Sequence, residues 1–144
     1  MEAIILVGGL GTRLRPLTKS IPKPLLPLAN VPMVERMIRS LPERFDTVIL
    51  AVNYGLEPML EHFKKTNVGR KIIIVPEDEP LGTGGALINA YDYLDSTFFC
   101  MNGDSLIDGN WLAINQKLDD NCSAVIALSK TENASRYGSI ELKN

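Results

Sequence analysis

Apolar residues are gathered along this chain into two alternating kinds of pattern. The first is a short continuous run: Ala3-Ile4-Ile5-Leu6-Val7, then 47–52 (TVILAV), 71–75 (KIIIV), 97–101 (TFFCM) and 123–128 (SAVIAL). Each is too short for a helix and apolar at almost every position, as expected of a strand buried on both faces of a parallel sheet. The second is a helical stripe. Val34, Met37, Ile38 and Leu41 fall at i, i+3, i+4 and i+7, which predicts a helix with one apolar face. Asn30 is placed to cap it, and Pro32 suits its first turn.

Asn53-Tyr54-Gly55 turns the chain into a second helix, with Leu56, Met59, Leu60 and Phe63 facing inward. A third, entered through Gly82–Gly85, puts Leu87, Ala90, Tyr91 and Leu94 inside, and a weaker one surrounds Trp111, Ile114 and Leu118. Pro24-Leu25-Leu26-Pro27-Leu28 reads as an extended connection, because prolines oppose both helix and regular pairing. Strand and helix alternate throughout. This predicts an α/β fold, Rossmann-like, with a mainly parallel sheet, helices on both faces and right-handed crossovers. Ser139-Ile140-Glu141-Leu142 opens one more strand near the last residue. That pattern predicts a domain incomplete at this end, or an edge completed by another chain.

Composition narrows the class. At 144 residues, 45% apolar and 22% charged, the chain suits one domain with a sizeable core. A net charge of −2 argues against a nucleic-acid binder working by bulk electrostatics. No run approaches transmembrane length, so no membrane partner is expected, and a cytoplasmic address is the simplest. Cys100 and Cys122 each fall in a predicted strand, where they read as small buried hydrophobes. His62 reads as a surface histidine, and Trp111 and the methionines at helical spacing as core.

Candidate chemistry gathers in residues 8–24, GGLGTRLRPLTKSIPKP, directly behind the first strand. The stretch holds three glycines, three prolines, four basic side chains (Arg13, Arg15, Lys19, Lys23) and no acid. Glycines let backbone N–H groups converge on an anion; arginine adds a fork of donors and lysine a point charge. Together they describe a polyphosphate cradle at the carboxyl end of a strand, where open α/β sheets bind ligands. The dinucleotide fingerprint is excluded, since its third glycine position is Leu14 and Pro16 follows; the P-loop ending is absent too. Two further loops leave strand ends on the same side, 76–85 and 102–105, and can converge on the cradle. In the last, Asp104 of Asn102-Gly103-Asp104 reads either as a turn residue or as a carboxylate that would hold Mg²⁺.

The spacing G-x-G-T-R-L-x-P-x-T followed by P-K-P resembles the signature of the sugar-1-phosphate nucleotidylyltransferases, and the resemblance runs the length of the chain. Glu79-Pro80-Leu81-Gly82-Thr83-Gly84-Gly85 is most similar to the form found in mannose- and heptose-1-phosphate guanylyltransferases. The resemblance implies transfer of a nucleoside monophosphate from an NTP to a sugar 1-phosphate, with Mg²⁺ as cofactor. Gly8, Gly9, Gly11 and Thr12 would present the backbone cradle, and Arg13 would draw charge onto the leaving pyrophosphate. Lys23 would bridge the two substrates' phosphates, and Asp104 would hold the metal. Glu77, Pro80, Gly82 and Thr83 would bind the base. Glu77 would accept from guanine N1–H and N2–H₂, a donor pair adenine lacks, which favours GTP. Tyr137-Gly138 matches the entry to a sugar-binding segment, with Gly138 touching the sugar. A downstream Glu-Lys-Pro motif and a second metal-binding aspartate of the family do not occur. Residues 1–144 are therefore expected to form the nucleotide-binding part of such a domain, its sugar-binding portion missing, and the cut-off strand invites pairing into a homo-oligomer. The alternative is a catalytically incomplete nucleotide-binding or regulatory module.

Overall fold

A computed structural model of the chain describes residues 1–106, 109–119, 121–131 and 140. They fall into two compact units, Met1–Ile107 and Asp108–Asn144.

The first unit is built on four parallel strands: β1 (Glu2–Leu6), β4 (Thr47–Val52), β5 (Lys71–Pro76) and β6 (Phe99–Asn102), in the order β5-β4-β1-β6. Successive side chains of a strand point to opposite faces, and both faces here are apolar and covered. One carries Ala3, Ile5, Val48, Leu50 and Val52 against Val34, Met37 and Ile38 of helix α1 (Met33–Ser40) and Met59 of α2 (Leu56–Lys65). The other carries Ile4, Ile49, Ala51 and Val75 against Ala86 of α3 (Gly82–Asn89) and Ala90. Covering both faces is what allows β1 and β4 to be apolar without alternation. The expected α/β architecture is borne out.

Local details depart from expectation where side-chain pattern was asked to fix backbone turns. The proline segment is not merely extended. Lys23–Leu25 form a turn of 3₁₀ helix, and β2 (Pro27–Leu28) pairs antiparallel with β3 (Val31–Pro32) as a small ribbon. Asn30 does not cap α1; with Ala29 it forms the two-residue turn of that ribbon, both at positive φ (64° and 46°), while Pro32 precedes the helix. A two-residue turn with both centres left-handed matches the twist of paired strands. Proline withholds amide donors from this ribbon. Arg36 of α1 holds it instead, donating from Nε to Leu28 O at 2.7 Å and from Nη2 to Ala29 O at 3.2 Å.

Helix α3 stops at Asn89 and is followed by a 3₁₀ turn at Tyr91–Tyr93, so Tyr91, expected inside, is 75% exposed. The tighter winding changes the angle between successive side chains and carries Tyr91 off the buried face. Leu60 is likewise exposed, although Met59 beside it is buried. Cys100 is exposed because β6 pairs only with β1 among the described residues; Cys122 is half-buried and outside any strand. His62 is half-buried rather than on the surface: its ring meets Phe63 edge-on at 4.9 Å, and its Nε2 lies 3.4 Å from Glu35 Oε2. Met37 and Met59 are core, as expected, and Met101 of β6 is buried too.

In the second unit, α4 (Trp111–Asn115) forms where the weaker helix was expected. The predicted strand at 123–128 does not form; Ile126 and Leu128 lie exposed in irregular backbone. A strand exists only through pairing, and among the described residues nothing pairs with this one. The expected strand around Ser139–Leu142 lies, apart from Ile140, outside the described residues. No described helix is long and apolar enough to cross a membrane.

Candidate functional site

The chain runs outward from β1 through β4 to β5, then returns past β1 to lay down β6 on its other side. The helix that follows β1 and the helix that leads into β6 cover opposite faces, and a cleft lies at the carboxyl ends of these two strands, the usual ligand position in such sheets. It measures about 280 Å³ and is lined by Val7, Gly9, Lys23, Pro24, Gly103 and Asp104, among others.

Gly103 fixes one wall. Its amide donates to Leu6 O at 2.8 Å, and a Cβ at this position would lie 2.5 Å from Val7 Cγ1 and 2.7 Å from Leu6 O. Only a residue without a side chain lets β6 end so close to β1, and that closeness delivers Asp104 to the cleft. Gly103→Ala must push the two strand ends apart. We expect it to cost about 1–3 kcal/mol, as overpacking of a close contact typically does, read as a lowered urea midpoint with an unchanged slope.

The 8–24 loop forms the opposite wall and is braced from within. Gly11, at φ 61°, accepts a hydrogen bond at its carbonyl from Thr18 Oγ1 (2.9 Å), and Thr18 is buried. A Cβ on Gly11 would lie 2.9 Å from both Lys23 Cβ and Thr18 Cγ2. At the far end, Pro22 fits against Gly55 (φ 82°), where a Cβ would stand 2.4 Å from Pro22 Cγ. Held at both places, the loop aims Lys23 Nζ at Asp104 Oδ2, 2.6 Å away. Among the described residues, nothing accepts from the amides of Gly9, Gly11, Thr12 or Arg13, and a Cβ on Gly9 would meet open space. These amides precede or begin a 3₁₀ turn (Thr12–Leu14) entered from a left-handed glycine, a geometry that concentrates N–H donors.

The Lys23 hydrogen bond, with its charge, holds the Asp104 carboxyl below the usual range, helped by the Ser105 hydroxyl and the Arg13 guanidinium against the opposing effect of partial burial. Asp104 is thus an ionised, half-exposed oxygen donor that already receives a cation. Among the described residues no group of three or more His, Cys, Asp or Glu converges. One carboxylate facing an anion cradle fits Mg²⁺, which takes one or two carboxylates and completes its shell from phosphates and water. It would not suit a metal demanding a full protein cage.

The structure thus brings Gly9, Gly11, Lys23 and Asp104 together, with Arg13 near enough to act on Asp104 by charge. Gly8 lies at the floor of the loop, where a Cβ would be 3.1 Å from Asn53 Cβ; Thr12 is exposed. Glu77, Pro80, Gly82 and Thr83 sit on the neighbouring loop after β5. There the Leu81 amide donates to Glu77 Oε2 at 3.4 Å, and Gly82 adopts φ 69° as α3 begins. Gly138 lies outside the described residues. Sequence reasoning missed Thr18, Gly103 and Asn53. Asn53 and Gly103 read as turn formers, and the available signal was their place directly after buried strands on the ligand side.

The Nucleotidyl transferase family matches residues 2–144. A D-glycero-alpha-D-manno-heptose 1-phosphate guanylyltransferase from Campylobacter jejuni is 39% identical over 144 residues, covering 99% of this chain and 63% of its own. A bifunctional protein GlmU from Methanococcus aeolicus is 35% identical over 144 residues, which are 100% of this chain and 34% of that protein. The crystal structure of HddC from Yersinia pseudotuberculosis complexed with GMP-PN superposes with a TM-score of 0.64 at 37% identity, over 72% of this chain and 47% of that one. The chain spans less than two thirds of each of these relatives. With the glycine-and-basic loop at the switch point of a parallel sheet and a match from the second residue to the last, the chain belongs to the nucleotidyl transferase family.

Proposed function

We propose that this chain carries the nucleotide-binding and metal-binding part of a sugar-1-phosphate nucleotidyltransferase that uses GTP. The observation that carries the reading is the pairing of Lys23 with Asp104 across the cleft between the 8–24 loop and the end of β6. It sets a phosphate-seeking cation and a metal-seeking carboxylate side by side, beside glycine-loop amides that donate to nothing among the described residues. The guanylyltransferase and the GMP-PN complex among its relatives support guanine.

In the reaction, an oxygen of the sugar 1-phosphate attacks the α-phosphorus of the NTP. A new P–O bond forms, the bond from the α-phosphorus to the bridging oxygen breaks, and pyrophosphate leaves with the electron pair. The attacking phosphate is already anionic, so no protein base is needed, and catalysis rests on positioning and charge. Asp104 would hold Mg²⁺, which neutralises phosphate charge when bound. The amides of Gly8, Gly9, Gly11 and Thr12 cradle the phosphates, and Arg13 draws charge onto the departing pyrophosphate. Lys23 reaches both reacting phosphates, which would otherwise repel. Glu77 accepts from the guanine N1–H and N2–H₂ edge, beside Pro80, Gly82 and Thr83, and Gly138 belongs to the sugar side. The two free cysteines suit a reducing compartment such as the cytoplasm.

The test is pyrophosphate release by this chain with Mg²⁺, each NTP in turn and a panel of sugar 1-phosphates. We expect release with GTP and a mannose or heptose 1-phosphate. Mg²⁺-dependent GTP binding without release would assign a binding module, and no NTP binding would overturn the reading.

A further inference from the structure

Asn53 stands directly after β4, the strand lying between β1 and β5, which carry the two loops of the site. Its main chain lies under the first of these loops, 3.3 Å (backbone N) from where a Cβ on Gly8 would be. Its side chain reaches the second, Nδ2 donating to Glu77 O at 3.1 Å. The Glu77 amide in turn donates to Val52 O at 2.8 Å, so the peptide groups on both sides of the Glu77 Cα are pinned to the end of β4. Two residues further on, Gly55 receives Pro22, the neighbour of Lys23. One short turn therefore touches the start of the glycine loop, its end, and the root of the 77–81 loop.

Asn53 is not explained as a helix cap. Gly55 occupies the cap position of α2, and among the described residues no side chain bonds to that helix start. The Asn53 amide is spent on Glu77 alone among the described residues.

We infer that Asn53 is a positioning residue that fixes the base-reading loop relative to the phosphate cradle, and so sets which nucleobase the site accepts. This rests on the nucleotide-binding reading above. Hydrogen bonds to a base edge fail with small changes of angle, whereas phosphates are held by many donors and charges that tolerate them. Losing the Asn53 donor therefore frees Glu77 while leaving the cradle, which Asn53 touches only through its main chain and Cβ.

Calorimetry on the full chain with Mg²⁺ separates these effects, using GTP, inosine triphosphate and inorganic tripolyphosphate. Inosine triphosphate keeps N1–H but lacks the exocyclic amine. Wild type should prefer GTP over inosine triphosphate by about tenfold, the usual size of a hydrogen bond to a charged group. In Asn53→Ala that ratio should fall toward one, with tripolyphosphate affinity changed by less than about twofold. Asn53→Leu, which keeps the branching at Cγ and removes the donor, should match it. An unchanged ratio in either variant overturns the inference, as does parallel loss of all three ligands, which would mean the contact only supports the fold. Wild type that binds tripolyphosphate but does not distinguish GTP from inosine triphosphate overturns the inference alone. Wild type that binds none of the three overturns the nucleotide reading and this inference with it.

Discussion

Asp104→Asn should leave a folded protein that has lost turnover by about 10²–10³-fold, the usual cost of removing one preorganised charge-stabilising group. The substitution keeps the shape of the side chain and one oxygen, so the contact with Ser105 and the Gly103 bridge to Leu6 remain available. It removes the negative charge that Lys23 and Arg13 now stabilise. The stability cost should be small, because Asp104 is 44% exposed and its ion pair with Lys23 is open to water. Such pairs contribute about 1 kcal/mol or less. Pyrophosphate release and a thermal melt on the same preparation check both halves. A variant that fails to fold would refute the metal role and leave Asp104 as a structural residue.

Lys23→Met should lower turnover by a similar factor, with a different signature in binding. Lys23 Nζ sits on Asp104 Oδ2, so in the free protein its ammonium competes with any other cation for that oxygen. Removing it exposes an unpaired carboxylate to the cleft while stripping the phosphates of a partner. Nucleotide affinity should therefore fall as affinity for Mn²⁺ alone rises. Titration with Mn²⁺, followed by its paramagnetic signal, reads the second effect independently of catalysis. A fall in both affinities would mean that Lys23 supports the site and does not compete within it.

Much of this was legible in the sequence because its causes are local. A strand buried on both faces must be apolar at successive positions, so β1 and β4 were evident from Ala3–Val7 and 47–52. The loop at 8–24 was evident because anion binding needs small residues and cations close together. Elements resting on partners far along the chain were not. The expected strand at 123–128 had suitable residues and no described neighbour to pair with. Asn30 had the chemistry of a cap, and was taken instead into a ribbon whose hold comes from Arg36. Asn53 and Gly103 carry no local mark beyond that of a turn. What distinguishes them is a contact with Glu77 in one case and Leu6 in the other, which only the assembled sheet creates.

The route of the chain through its sheet has a consequence for how the site is inherited by shorter pieces. Lys23 and Asp104 are 81 positions apart, yet they meet because β6 lies against β1, pairing residues 3–6 with 99–102. β1, β4 and β5 are joined by neighbouring crossovers and pair with one another without β6. A polypeptide stopping short of Phe99 would keep those three strands and the whole glycine loop, and would still have Lys23 with nothing opposite it. The cleft thus belongs to no contiguous segment: it comes into being when the fourth strand closes beside the first.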